Sequence, residues 1–145
     1  MLTLLAILTS AVLVAIAAVH VYWAAGGKRW IDLVIPQENG ARAFTPPPWM
    51  TLGVAFGVFA AALVVLGSRG WGPAATLPFA LRRGAVGLLA VVFALRGVGD
   101  FRRVGLFRKV KGTPFAHWDA QLFTPLCIVL AGNCALLAVA TVPML

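Results

Sequence analysis

The sequence predicts an all-α fold, an integral membrane four-helix bundle. Three observations predict it: 61% of the residues are hydrophobic and only 11% charged, the apolar residues are gathered into long runs, and the basic residues lie between those runs. A soluble domain of 145 residues could not hide so much apolar surface in a single core. Lipid makes hiding unnecessary. The chain is therefore expected to be a single transmembrane domain over 1–145.

The formal charge of +8 would point to nucleic acid in a soluble protein, so the placement of the charges has to decide. The 12 Lys and Arg residues avoid the centres of the apolar runs, as membrane insertion and anionic headgroups favour. Membrane lipids are thus the expected partners, and nucleic acid is not. Cys127 and Cys134 both fall in the last run, too few for a disulfide framework. On a helix their spacing puts them ~10 Å apart, beyond disulfide reach.

The first span covers residues 2–25, which carry no charged side chain, and about 20 residues suffice to cross a bilayer. Ala15-Ile16-Ala17 resembles a signal-peptide cleavage site, but no Lys or Arg precedes the run, so retention is expected. Gly26-Gly27 ends this helix, and a polar loop 1 follows, with Thr45-Pro46-Pro47-Pro48 read as extended. The second span covers residues 50–67, with Gly53 and Gly57 spaced so that a neighbouring backbone could approach; homo- or hetero-oligomers are therefore compatible with the sequence. A Gly/Pro-rich loop 2 leads to a third span over residues 81–101. Its uninterrupted apolar core is short, so it holds Arg96 and Asp100 near membrane depth or snorkels them to the interface.

Thr113-Pro114 and Thr124-Pro125 both read as an N-cap followed by proline at the first helical position. A short interfacial helix is expected at the first. The fourth span, residues 125–143, is either a fresh helix or the continuation of a kinked one. Loop 1 contains Lys28, Arg29 and Arg42, and loop 3 from Arg96 onward contains six further basic residues; loop 2 contains only Arg69, Arg82 and Arg83. By the positive-inside rule loops 1 and 3 are expected in the cytoplasm, with both termini on the outer face.

Ionisable groups at membrane depth are the candidates for function, because each is costly there unless paired or hydrated. His20, Trp23, Arg96, Asp100, Trp118 and Asp119 all fall toward the cytoplasmic end. Arg96 and Asp100, four residues apart, would share a helix face and pair. The cluster either ties helices together, with Arg96 neutralised by Asp100 and Asp119, or lines a small ligand pocket. In an enzyme reading His20 and Asp119 are the catalytic candidates: His20 is the acid/base, and Arg96 clamps an anionic or carbonyl group of a lipid-like substrate. A small transporter or membrane-complex subunit is the alternative, although the first two spans lack the acidic residue that proton exchange needs.

Available metal ligands, His20, His117, Asp119 and Cys127, follow no recognised metal spacing, so no metal site is assigned, and no residue pattern identifies a cofactor. Trp23, Trp30, Trp49, Trp71 and Trp118 fall at interface levels. Arg102, Arg103, Arg108, Lys109 and Lys111 are expected against anionic lipid headgroups. Asn133, deep in the fourth span, is expected to hydrogen-bond between helices.

The segments His20-Val21-Tyr22-Trp23-Ala24-Ala25-Gly26-Gly27, Arg96-Gly97-Val98-Gly99-Asp100-Phe101 and Phe115-Ala116-His117-Trp118-Asp119, the last followed by Thr124-Pro125-Leu126-Cys127, resemble the family catalogued as domain of unknown function 3995. Pro36 and Phe44-Thr45-Pro46 add to the likeness, which covers nearly the whole chain. The resemblance implies a small bacterial integral membrane protein with four spans, placed in the cytoplasmic membrane, and motifs gathered at one face. It implies no activity and no catalytic residues.

Overall fold

A computed structural model describes residues 1–38 and 40–141. Its elements are helix α1 (Leu2–Ala24), a helical turn α2 (Ile31–Val34), strands β1 (Gln37–Glu38) and β2 (Ala41–Arg42), helix α3 (Pro48–Gly67), a 3-10 turn (Pro73–Thr76), helix α4 (Phe79–Val98), a short helix α5 (Pro114–Trp118), a π-helical turn (Asp119–Phe123) and helix α6 (Thr124–Val139). The strands form one antiparallel ribbon with Gln37 opposite Arg42 and Glu38 opposite Ala41.

Three helical stretches are long and apolar enough to cross a membrane: Leu2–Ala24, Pro48–Gly67 and Pro114–Val139. Helix α4 matches α3 in length but carries Arg82, Arg83 and Arg96. Several boundaries differ from those read in the sequence. Helix α3 starts at Pro48, because proline at a first helical position lacks only an N–H that would go unpaired there. Helix α4 stops at Val98, where Gly99 turns left-handed at φ 88°, so Asp100 and Phe101 lie beyond it. The last helix begins at Pro114 and runs on through the π turn. Of the expected fourth span, residues 142 and 143 lie outside the described residues.

Helix α1 packs along α3 and α4 along α6, and contacts between α3 and α4 and between α1 and α6 join the pairs. All four helices supply the buried core: Ala6 and Leu13 from α1, Ala61, Ala62 and Val65 from α3, Val86 from α4, and Leu130, Cys134 and Leu137 from α6. Alanines at the α1–α3 contact let the backbones approach. Polar side chains add specific links within this core. Ser10 Oγ donates to Ala62 O at 3.0 Å, and Asn133 Nδ2 donates to Thr9 Oγ1 at 3.1 Å, tying α6 to α1. The outward faces present Leu8, Phe56, Leu88 and Val139, all exposed, the reverse of a water-soluble pattern.

At the loop 2 end, arginines close helix C-termini. Buried Arg82 donates Nη1 to Gly67 O at 3.1 Å, and Arg69 donates Nη1 to Ala140 O at 2.7 Å. The arginines add donors to carbonyls at the helix ends, where Gly67 O also accepts Gly70 N at 3.0 Å, and the positive charge opposes the negative end of the helix dipole. Gly67 also permits the 3-10 turn to close on α3, since a Cβ there would stand 2.7 Å from Ala74 Cβ and 2.8 Å from its carbonyl carbon.

Gly67→Ala is accordingly expected to lower stability by about 1–3 kcal/mol through overpacking. Gly53→Ala, whose added Cβ meets nothing within 4 Å, is expected to melt like the wild type in detergent. Equal melting of the two variants would mean that the Gly67 contact is not tight.

Candidate functional site

The sequence Arg96 to Phe101 ends α4 and starts a closed loop. Gly97 brings α4 against α6, where an added Cβ would lie 3.1 Å from Ile128 Cγ1. Gly99 and Gly105, with φ of 88° and 87°, face each other backbone to backbone, and a side chain on Gly99 would run into the Val104 carbonyl. Leu106 N donates to Gly97 O at 2.9 Å and closes the ring of chain. Inside it, Asp100 Oδ1 accepts the backbone N–H groups of Arg102, Arg103 and Val104 at 2.9, 2.6 and 2.9 Å. Burial pushes the Asp100 carboxyl up, but these backbone donations outweigh it and hold the group below its ordinary value.

Asp119 is fully buried at the start of the π turn. Its Oδ1 accepts Arg96 Nη2 at 2.8 Å. Its Oδ2 accepts Gly105 N at 2.8 Å, Thr124 Oγ1 at 3.1 Å and Arg108 Nη1 at 3.3 Å. Oδ1 thus takes one donor and Oδ2 three. They come from α4, loop 3 and α6, so one side chain joins three segments. The π turn lets the helix carry Asp119 in its wider coil and Thr124 on the next turn toward the same point; such bulges recur at functional sites. Thr124 therefore does not cap a new helix. Thr113 does cap, accepting Ala116 N at 3.1 Å.

Loop 1 is clamped onto loop 3 by a second carboxylate. Glu38 Oε1 accepts Arg102 Nη2, and Oε2 accepts Arg103 through both Nη2 and Nε, the latter at 3.0 Å. The Arg103 and Arg102 guanidinium groups hold the Glu38 carboxyl below its ordinary value. Within loop 1, Arg42 Nε donates to Asp32 Oδ1 at 2.7 Å, which lowers the Asp32 carboxyl likewise. The start of loop 1 is anchored to α1: the Tyr22 ring occupies the space where Gly27 has no side chain, and Trp23 Nε1 donates to Arg29 O at 2.9 Å.

Of the six residues singled out in the sequence, the structure joins Arg96 to Asp119 and sets Asp100 beside them. Arg96 and Asp100 do not pair, contrary to their four-residue spacing, because Gly99 ends the helix between them. His20 and Trp23 form a separate pair, ring centroids 5.2 Å apart and edge to face. His20 Nδ1 lies 2.8 Å from Ile16 O, so Nδ1 carries a proton, and no hydrogen bond joins this ring to Arg96, Asp100 or Asp119. Trp118 stacks edge-on against His117 at the surface. Arg102, Arg103 and Arg108, expected against lipid, have intramolecular carboxylate partners, while Lys109 and Lys111 make no ion pair among the described residues.

Sequence reasoning missed Gly105, Thr124, Arg108 and Glu38 as members of this network. Thr124, five residues after Asp119, was the one local signal. Among the described residues no group of three or more His, Cys, Asp or Glu side chains could hold a metal ion.

A cleft of about 440 Å³ opens beside the network, walled by Val34, Pro36 and Phe44 of loop 1, Phe115 of α5, and Leu95, Arg96, Gly99, Asp100 and Val104. Arg96, one of these lining residues, has its Nη1 buried without a hydrogen-bond partner. A family model described as "Protein of unknown function (DUF3995)" matches residues 13–134, a stretch that contains every segment of the network. No curated protein and no solved structure matches the chain.

Removing the central carboxylate leaves Arg96 and Arg108 facing each other uncompensated. Asp119→Ala is expected to lower stability by about 3 kcal/mol, read by thermal melting in detergent; melting unchanged from wild type would remove Asp119 from its central place. Glu38 predicts a pH dependence. Because its folded carboxyl is lowered, its contribution is complete above the ordinary carboxylate value and is lost as the pH falls through the lowered one. Wild type should melt above Glu38→Gln at neutral pH, and the gap should close on acidification; a gap of constant size would show that the carboxylate charge is not what holds the loops.

Proposed function

The chain belongs to the family described as Protein of unknown function (DUF3995), and from that premise we propose that it is a polytopic protein of the bacterial cytoplasmic membrane, a four-helix bundle whose buried carboxylate latches the cytoplasmic loops over a small binding cleft. The spans in this reading are α1, α3, α4 and the continuous helix Pro114–Val139. Helix α4 joins them: its 20 residues reach ~30 Å, and Arg82, Arg83 and Arg96, which flank a short apolar stretch, lie toward its two ends, where they can reach the interfaces. Loops 1 and 3 face the cytoplasm, and loop 2 faces outward.

One observation carries the choice between a structural or binding role and an acid/base enzyme. Asp119 is fully buried and already accepts from two arginines, a backbone N–H and a threonine hydroxyl, and a carboxylate so enclosed is poorly placed to take a proton from substrate. His20, the other candidate base, has its own carbonyl partner away from Arg96. What remains open in the site is a place for a ligand, between Arg96 and loop 1. Lys109 and Lys111 then lie against anionic headgroups, each contributing about 1 kcal/mol to surface attachment.

Single cysteines in a background without Cys127 and Cys134 test the arrangement. Gly40→Cys and Lys111→Cys are expected to react with a membrane-impermeant maleimide only after the cells are permeabilised, and Trp71→Cys in intact cells. Labelling of Lys111→Cys from outside would overturn the orientation, and recovery of the chain in the soluble fraction would overturn the membrane assignment.

A further inference from the structure

Two opposite charges line the cleft beside Arg96 and do not meet. Arg96 gives Nη2 to Asp119, while its Nη1 is buried without an acceptor. Asp100 receives its three backbone N–H bonds on Oδ1 alone, so Oδ2 makes no hydrogen bond among the described residues. Both side chains border the same space, yet no ion pair joins them. A buried cationic donor left unsatisfied is costly, while Asp100 is exposed and offers its carboxylate across a partly apolar wall. Val34, Pro36, Phe44 and Leu95 make that wall.

The geometry points to a zwitterionic aminophospholipid in this cleft, its phosphodiester oxygen on Arg96 and its primary ammonium on Asp100. The inference rests on the membrane reading above and names the ligand class of that site. A purely anionic headgroup would satisfy Arg96 but stand against the Asp100 carboxylate. A choline headgroup has the right charges and no N–H to donate to Oδ2. The same charges occur on soluble phosphoethanolamine, and the cleft margin selects the lipid. Phe44 and Leu95 are 54% and 64% exposed beside it, and Leu95 lies on α4 one residue from Arg96, where acyl chains would run.

The test is native mass spectrometry of the full chain in neutral detergent, offered an equimolar mixture of phosphatidylethanolamine, phosphatidylcholine and phosphatidylglycerol with matched acyl chains. The ethanolamine lipid should exceed each of the others by about tenfold, the effect of one charge-assisted hydrogen bond. Asp100→Asn keeps an oxygen for the three backbone bonds and removes the charge, so it should fold with a melting point somewhat below wild type and bind the three lipids about equally. Val34→Trp, which fills the cleft, should lose all three. Equal binding of the three lipids by the wild type, or an ethanolamine preference that survives Asp100→Asn, overturns the proposal. Displacement by O-phosphoethanolamine at a concentration comparable to the lipid overturns the lipid as source. Because this preference is read in detergent, it stands or falls separately from the orientation measured by maleimide labelling.

Discussion

A carboxylate without water around it needs donors on all sides, and the lower part of this molecule is arranged to bring four of them to Asp119. The requirement explains several local departures from regular structure. Gly99 and Gly105 take left-handed conformations so that loop 3 folds back and aims the Gly105 N–H at Oδ2. The helix widens into a π turn so that Asp119 and Thr124 face one point. Arg96 donates to one carboxylate oxygen and Arg108 to the other, at 34% and 15% side-chain exposure. A buried ion pair often stabilises no more than apolar residues of the same shape, but breaking one is strongly destabilising. The network is thus better understood as fixing one arrangement of α4, loop 3 and α6 than as a large source of stability.

Charge is divided unevenly between the two ends of the helices, and each end solves a different problem. All four acidic residues, Asp32, Glu38, Asp100 and Asp119, lie at the loop 1 and loop 3 end, each with hydrogen-bond donors. There the carboxylates tie loops together across long sequence distances. At the loop 2 end Arg69 and Arg82 have no acidic side chain near them and donate to the terminal carbonyls of α6 and α3. Those helix ends carry the partial negative charge that a carboxylate supplies elsewhere.

The apolar runs made α1 and α3 legible, because a stretch without charged residues that is long enough to span has few alternatives. Gly26 marked the end of α1 for the same reason that it takes φ 94° in the fold. The candidate residues all belong to the loop 1 and loop 3 end, but their pairing was not readable. Four-residue spacing joined Arg96 to Asp100 on paper, and a left-handed Gly99 separates them. Thr113-Pro114 and Thr124-Pro125 are alike as sequence, yet only the first threonine caps a helix; the second gives its hydroxyl to a carboxylate. Glu38 and Arg103 are 65 residues apart, and no local pattern announces a contact formed by two loops folding together. The family match over residues 13–134 agrees with the resemblance carried by these segments and adds no activity.

In the proposed membrane arrangement the basic residues of loop 3 serve at two stages, and the stages ask for different things. During insertion it is Lys and Arg near the ends of spans that set orientation, while nearby Asp and Glu contribute little. The extended chain therefore presents Arg96, Arg102, Arg103, Arg108, Lys109 and Lys111 as a strong signal to stay inside. After folding, Arg96 and Arg108 are committed to Asp119, and Arg102 and Arg103 to Glu38, which leaves the two lysines without an ion pair among the described residues. Guanidinium suits the first set because its planar fork pairs with carboxylate, and ammonium suits the second because it stays strongly hydrated. In the proposed membrane arrangement, the split between Arg and Lys along this one loop thus follows the split between internal pairing and contact with the membrane surface.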